Sequence, residues 1–261
     1  MQVLVPFLAM AGLGLVGVAS LAPTLGPMLP TLRAVPGLAG RSDAELVMLA
    51  LVQPAILAVA GALVGALLAE RVGLRSLIME ALRGGSAKAA PATFLTALAL
   101  GFATGAAILA LDRTLFVLTG GATALDGGGA PTLAARASAL LYGGVTEEIV
   151  MRFGLMTLLA WAGAALLPGL AAQNPGALML PAIALTALLF GLGHLPKLYA
   201  LTEPGLALVL RTVALNVIAG LVYGWLYWRL GLEHAMLAHM ATHLAFWTLG
   251  PILARAAGAP G

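Results

Sequence analysis

The feature that most constrains the fold is a series of long apolar stretches, each close to the length of a membrane crossing. A transmembrane helix needs about 20 mostly apolar residues. Seven segments meet this requirement, at residues 3–25, 46–69, 92–111, 136–167, 177–195, 206–230 and 233–254. Inside lipid every backbone polar group needs an internal hydrogen bond, so these runs are expected to be helices. We therefore predict an all-α, polytopic membrane helix bundle with about seven or eight transmembrane helices.

The composition supports this fold class and excludes several functions. Charged residues make up 9% of the chain, whereas soluble domains carry about 25%. The 13 basic residues are spread over several loops and form no patch, so we expect no nucleic-acid partner. Because the chain has no cysteine, disulfides and thiolate chemistry are excluded. The whole chain, residues 1–261, is expected to be a single integral membrane domain.

One transmembrane segment, GGVTEEIVMRFGLM at residues 143–156, carries three formal charges. An ionisable residue at the centre of a spanning helix costs about 2.5–3.5 kcal/mol, so it usually faces a cavity or a partner. Glu148 and Arg152 are four residues apart and are expected to pair on one helix face. Glu147 is rotated by about 100° from Glu148 and has no local counter-charge. Glu147 is therefore a candidate general base, or else a protonated carboxyl bonded to a neighbouring helix.

Three histidines in later spans are candidates for the same site. His239 and His243 share one face of the last span, and His194 ends the fifth. A lone histidine in a span is often satisfied by an interhelical hydrogen bond. Three histidines beside an unpaired glutamate instead favour a functional site. Phe190 is expected to pack against this site, and Asn216 to line it or to bond between helices.

These residues support two hydrolytic chemistries. In the first, Glu147 with help from His194 deprotonates a water that attacks a peptide carbonyl, while His239 and His243 donate to the oxyanion. In the second, these four residues hold a zinc ion, which commonly takes three protein ligands and a water. The H-E-x-x-H signature is absent, so no motif requires zinc. We expect no required cofactor, with Zn²⁺ as the alternative.

The positions of the histidines within their spans require a bent or broken helix if the three side chains are to meet. His194 lies late in the fifth span and His239 early in the seventh, so straight helices with simple loops would place them toward opposite membrane faces. Pro196 and the glycines that precede His194 favour a break in the helix. We therefore predict that His194, Glu147 and His239 converge on one cavity.

Three motifs, in the order E-E-x-x-x-R, F-x-x-x-H and H-x-x-x-H, resemble those of the CPBP family. This family comprises the CAAX prenyl protease and bacteriocin-processing (Abi) intramembrane endopeptidases. The motif residues are Glu147, Glu148, Arg152, Phe190, His194, His239 and His243, and the resemblance covers about residues 136–250. The eukaryotic prenyl proteases have asparagine at the position of His243, and histidine is also able to bind a metal.

The resemblance implies a role for each motif residue. Glu147 is the catalytic glutamate, Glu148 and Arg152 form a structural ion pair, and His194 assists the water. His239 and His243 form the oxyanion site. The glutamate type of protease is favoured over the zinc type.

The resemblance also implies an intramembrane endopeptidase that acts in the lipid bilayer on a membrane-embedded or lipidated protein or peptide. We expect a multi-pass protein of a cell membrane, the bacterial inner membrane. The last four spans, within residues 131–255, are expected to form the catalytic core, and residues 1–130 the family-variable spans. Two alternatives stay open. Intramembrane glutamates and histidines also relay protons in proton-coupled transporters, and some relatives are thought to be catalytically idle immunity or scaffold proteins.

Overall fold

The computed structural model describes residues 3–119, 131–174 and 176–256, and it contains helices but no strand among them. This confirms the predicted all-α fold class. The division predicted between residues 130 and 131 adjoins the segment 120–130, which lies outside the described residues, and it stays a prediction.

The described residues form α-helices and two π-helical segments. The α-helices are α1 (Leu4–Ser20), α2 (Leu29–Arg33), α3 (Asp43–Leu68), α4 (Leu77–Leu82), α5 (Pro91–Thr119), α6 (Leu133–Ser138), α7 (Thr157–Leu166), α8 (Pro168–Gln173), α9 (Gly176–Gly193), α10 (Leu195–Leu201), α11 (Leu206–Arg229) and α12 (Leu232–Ala256). The π-helical segments, Ala139–Glu147 and Ile149–Met156, lie between α6 and α7.

Six stretches of helix among the described residues are long and apolar enough to cross a membrane. They are Leu4–Thr24, Asp43–Leu68, Pro91–Leu115, Leu133–Leu166, Gly176–Leu201 and Leu206–Arg229. They correspond to the first six predicted spans. The seventh predicted span, 233–254, lies within α12, which is 25 residues long. α12 is not one of the six, because its histidines and Glu233 lower its mean hydropathy.

Large apolar side chains cover the outside of the bundle. On α3, for example, Met48 is 65% exposed and Ile56 is 62% exposed. A water-soluble protein rarely exposes such a continuous apolar surface, whereas lipid accommodates it. The exposed face of the bundle therefore fits a bilayer environment.

Small residues bring the inner helices into close contact. The longest shared interface is between α5 and α12, where a methyl group added at Gly101 would overlap the backbone of Ala238. A Cβ at Gly220 of α11 would lie 2.8 Å from the Cα of Ala187 in α9. Glycine at these positions lets the backbones approach closely, so α12 and α11 lie near the centre of the bundle.

The start of α12 is fixed to the start of α4 by one carboxylate. Glu233 accepts hydrogen bonds from the Ser76 hydroxyl at 2.5 Å and from the backbone N–H groups of Leu77 and Ile78 at 2.9 and 3.0 Å. Unpaired N–H groups at a helix N-terminus favour a negative partner. Glu233 therefore joins α4 to the helix that carries His239 and His243.

Candidate active site

The charged part of the fourth span is wound as a π-helix rather than as the α-helix that we predicted. The two π-helical segments run from Ala139 to Glu147 and from Ile149 to Met156, with Glu148 between them. π-Helices are rare and occur frequently at functional sites. The wider winding is accompanied by hydrogen bonds from the Thr146 hydroxyl to the carbonyl of Gly14 on α1, at 2.8 Å, and to that of Leu141, at 3.4 Å.

Glu148 and Arg152 are in contact despite this change of winding. Their carboxylate and guanidinium lie 3.2 Å apart, and both side chains are fully buried. Arg152 also donates to the carbonyl of Gly220 at 3.1 Å. Its guanidinium carbon lies 4.7 Å from the ring centre of Phe190 and 5.3 Å from that of Tyr223. The guanidinium is thus held by one carboxylate, one carbonyl and two aromatic faces.

Glu148 has a second partner that the sequence did not reveal. Its Oε1 atom lies 2.8 Å from Nδ1 of His239 on α12. An ionised carboxylate accepts hydrogen bonds only, so Nδ1 of His239 is the donor while Glu148 is charged. Glu148 therefore connects Arg152 to His239 and fixes the orientation of that imidazole.

Glu147 differs from its neighbour in exposure and in partners. Its side chain is 22% exposed, whereas that of Glu148 is fully buried. Its Oε2 atom lies 4.0 Å from Nε2 of His239. This separation is too long for a direct hydrogen bond but fits one oxygen atom that bonds to both groups.

The two histidines of α12 form part of a stack of rings. The ring centres of His239 and His243 are 5.2 Å apart, with 20° between the planes. Tyr223 stacks on the other face of His239 at 4.6 Å. The Tyr223 hydroxyl donates to Thr242 at 2.7 Å. The imidazole of His239 is therefore confined on both faces.

The Nε2 atoms of His239 and His243 face the same point, the Cα of Gly143. A Cβ built on Gly143 would lie 3.0 Å from Nε2 of His243 and 3.5 Å from Nε2 of His239. Gly143 precedes Glu147 on the same π-helical segment. Glycine at 143 therefore leaves open the space onto which both imidazoles are directed.

His194 approaches the cluster from a break between two helices. α9 ends at Gly193 and α10 begins at Leu195, so the chain turns at His194. Nδ1 of His194 donates to the carbonyl of Phe190 at 2.8 Å. The ring centre of Phe190 lies 4.8 Å from that of His194 and 5.9 Å from that of His239. Phe190 therefore separates two histidines that belong to distant parts of the chain.

Asn216 was expected to line the site or to bond between helices. Its amide donates to the carbonyl of Thr212, on its own helix, at 2.8 Å. This contact does not connect Asn216 to the histidines, and its role at the site stays a prediction.

A second buried ion pair lies elsewhere in the bundle. Arg211 on α11 contacts Asp112 on α5 at 2.8 Å, and both side chains are about 95% buried. In the sequence, Arg211 lies near the start of the predicted span 206–230. Since Asp112 follows the predicted third span directly, it resembled an ordinary charge at a span end.

The cluster combines a half-buried carboxylate with two imidazoles directed at a shared space. Such an arrangement suits water activation next to a developing oxyanion. Among the described residues, no three His, Asp or Glu side chains are arranged to hold a metal ion. The choice between a metal-free mechanism and a zinc site made of Glu147, His194, His239 and His243 stays a prediction.

Comparisons with known proteins identify the part of the chain that holds this cluster. A family model described as "Type II CAAX prenyl endopeptidase Rce1-like" matches residues 129–245. No curated protein and no solved structure matches the chain. The match confirms the family predicted from the three motifs, and the apolar helices make the chain an integral membrane protein. The segment 129–245, which contains Glu147, His194, His239 and His243, is thus similar to the Rce1-like CAAX prenyl endopeptidases.

Proposed function

We propose that the protein hydrolyses a peptide bond of a membrane-associated protein or peptide, with a water molecule activated by Glu147. The observation that best supports this proposal is the convergence of side chains near Gly143. The Nε2 atoms of His239 and His243 face this glycine, and Glu147 lies 4.0 Å from Nε2 of His239. A base beside two potential oxyanion donors supplies the main requirements of peptide hydrolysis.

Glu147 is the better general base of the two adjacent carboxylates. A general base needs access to water, and the Glu147 side chain is 22% exposed while that of Glu148 is fully buried. Glu148 is also occupied by Arg152 and His239. Glu147 is therefore free to accept a proton from an attacking water.

His239 is assigned to the oxyanion together with His243. Nδ1 of His239 donates to Glu148, so Nε2 donates as well only when the ring carries a second proton. Two carboxylates and Arg152 leave one negative charge without compensation in a buried cluster. A protonated Glu148 would remove this charge and donate to Nδ1, which leaves the hydrogen of the neutral ring on Nε2 as a donor to the oxyanion.

The proposed reaction transfers one proton in each direction. Water oxygen bonds to the carbonyl carbon while Glu147 takes one proton, and the carbonyl electrons form an oxyanion that His239 and His243 stabilise. Glu147 then returns the proton to the amide nitrogen as the C–N bond breaks. The products are a carboxylic acid and an amine. His194 donates from Nδ1 to Phe190, which leaves its Nε2 as an acceptor that orients the water.

The proposed substrate is membrane-embedded or lipidated, because the catalytic groups lie among transmembrane helices. The family description names prenyl endopeptidases, and prenylation is attached to cysteine in a C-terminal C-a-a-X sequence. We propose the bacterial inner membrane as the location, no nucleic-acid partner, and a reaction that requires no metal.

The test uses purified protein in liposomes and a quenched fluorescent peptide with a farnesylated cysteine near its C-terminus. Glu147→Gln is expected to lower kcat by about 10³-fold or more, within the range of lost general-base catalysis. Glu203→Gln is the matched control, because Glu203 is exposed in the turn between α10 and α11. Its kcat should equal that of the unmodified protein.

The contrary outcomes are distinct. Unchanged turnover in Glu147→Gln would exclude Glu147 as the base. Loss of activity on chelation, together with stoichiometric bound zinc, would replace the glutamate mechanism by a metal mechanism. Proton flux in liposomes without peptide cleavage would favour a proton-coupled transporter, and neither activity would favour an idle scaffold.

A further inference from the structure

The ring stack of α12 extends beyond the histidines to the surface. Trp247 stacks on His243 with a centre-to-centre distance of 6.0 Å and 21° between the planes. The guanidinium carbon of Arg136, on α6, lies 5.6 Å from the centre of the Trp247 ring. Arg136 is exposed, whereas Trp247 is half-buried. The Arg136–Trp247 pair therefore forms the outer end of a stack whose inner members are His243 and His239.

The fourth span and α12 are antiparallel across the site. Arg136 faces Trp247, Gly143 faces the two imidazoles, and Glu147 lies near His239. In this direction the residue numbers rise along the fourth span and fall along α12. Arg136 thus lies on the same line as the proposed base and the oxyanion donors, at the end away from Glu147.

The length of this line fits a short peptide. The distances of 5.6 Å from Arg136 to Trp247 and 6.0 Å from Trp247 to His243 place the guanidinium at most about 12 Å from the His243 ring. An extended peptide of three or four residues spans about 10–14 Å. A carboxylate at the end of such a peptide reaches Arg136 when its first peptide bond lies at the histidines.

The charge at this end of the site is positive. The Arg136 guanidinium contacts the ring of Trp247, and Arg136 belongs to none of the ion pairs among the described residues. Lys197, on α10, is a second exposed cation. A guanidinium matches the geometry of a carboxylate with two parallel hydrogen bonds. Stacking on Trp247 holds the guanidinium in place, which lowers the entropy lost when it binds an anion.

We propose that Arg136, held on Trp247, binds the C-terminal carboxylate of the substrate. This inference rests on the proposed peptidase function and adds to it a way of recognising a free chain end. A peptide bond near a free C-terminus is then cleaved in preference to the same sequence inside a longer chain. Arg136 contacts the substrate in this role but does not take part in the proton transfers.

The experiment compares two farnesylated peptides of the same sequence, one ending in a carboxylate and the other in a carboxamide. The unmodified protein should cleave the acid with a kcat/KM roughly tenfold above that of the amide. Arg136→Gln should raise KM for the acid to the value for the amide and leave kcat for both peptides unchanged. Arg136→Lys should keep part of the preference, because it keeps the charge but not the two parallel hydrogen bonds.

The control for loss of a surface cation is Lys88→Gln. Lys88 is exposed, and its carbonyl bonds to Arg75, which contacts the start of α12. The start of α12 lies about 22 Å along the helix axis from Trp247. Lys88→Gln should keep the full preference for the acid.

Binding of both peptides to Glu147→Gln protein separates this inference from the proposed function. An acid preference in binding that Arg136→Gln abolishes supports the carboxylate site, even if no variant hydrolyses either peptide. Cleavage that depends on Glu147 but shows no acid preference overturns the carboxylate site alone. Equal weakening of acid and amide by Arg136→Gln also overturns it and makes Arg136 a contact for lipid headgroups or for the fold.

Discussion

Two buried ion pairs lie in the bundle, and their surroundings differ. Asp112 and Arg211 join α5 to α11 at 2.8 Å. Glu148 and Arg152 lie one turn apart in the fourth span at 3.2 Å, and the same carboxylate also bonds to His239. Burial of opposite charges is common to both pairs. The pair at the candidate active site also contacts a histidine that is directed at an open space.

The comparison teaches that a buried charge inside a membrane protein is not by itself a sign of catalysis. Removing one member of a buried pair leaves the other charge without compensation and costs about 3–5 kcal/mol. Replacing both members by apolar residues of similar size is often neutral. Stability alone therefore reports the same behaviour for both pairs, and activity is needed to tell them apart.

The largest expected difference is in activity after loss of one carboxylate. Glu148→Gln should lower kcat by about 10³-fold, because a neutral amide replaces the carboxylate that orients His239 and compensates the charge of Arg152. Asp112→Asn should leave kcat of the folded fraction unchanged, although it lowers stability. Turnover per folded molecule, counted by size-exclusion chromatography in detergent, measures both effects.

The pairing of Glu148 with Arg152 alone predicts that Glu148→Gln mainly harms folding or insertion, whereas the unpaired Glu147 predicts that Glu147→Gln gives a folded, inactive protein. The contact between Glu148 and His239 adds a loss of activity to the first variant. Normal kcat in well-folded Glu148→Gln protein would make the two ion pairs equivalent and remove the distinction.

The double replacements test the same comparison through stability. Single loss of Asp112 or of Glu148 should reduce the free energy of unfolding by about 3–5 kcal/mol. Asp112→Leu with Arg211→Met should recover most of this loss and keep activity. Glu148→Leu with Arg152→Met should recover stability but stay inactive. Thermal unfolding in detergent and peptide cleavage are the two measurements. Full activity of the second double variant would contradict a role for Glu148 at the site.

Gly143 tests whether the open space beside His239 and His243 is used. Gly143→Ala puts a methyl group 3.0 Å from Nε2 of His243 and should lower kcat about 10²-fold, as loss of an oxyanion donor does. Gly250→Ala is the control, since an added Cβ there has no heavy atom within 4 Å. Equal activity of the two variants would show that the reaction does not use this space.

The smallest effect is expected at Tyr223. Tyr223→Phe keeps the ring that stacks on His239 and removes the 2.7 Å hydrogen bond to Thr242. The stability loss should be about 1 kcal/mol, with kcat reduced less than tenfold because the imidazole keeps its stacking partner. A larger fall in kcat than in stability would make the hydroxyl, rather than the ring, the important group.

Much of the fold follows from local sequence patterns. Apolar stretches of membrane length predicted six helices that the structure contains, because the cost of burying charge in lipid acts on each segment separately. The spacing of Glu148 and Arg152 predicted their contact for a similar reason, since both belong to one helix. The break at His194 followed from the residues on either side of it.

Contacts between distant segments did not follow from these patterns. The bond from Glu148 to His239 joins residues 91 positions apart, and helical spacing describes only one segment at a time. Asp112 looked like a charge at a span end because its partner lies on α11. The π-helical winding was also missed, because apolar periodicity is interpreted with the α-helical repeat.

The carboxylate of Glu233 has a consequence for the geometry of the whole cluster. It binds the first turn of α12 to the N-terminus of α4 through hydrogen bonds. His239 follows six residues later on the same continuous helix. The clamp therefore sets the rotational phase of α12 about its own axis. If α12 were rotated about its axis by about 100°, the rotation per residue of an α-helix, both imidazoles would point away from Gly143. The contacts around Ser76 therefore determine the direction in which the side chains of His239 and His243 point.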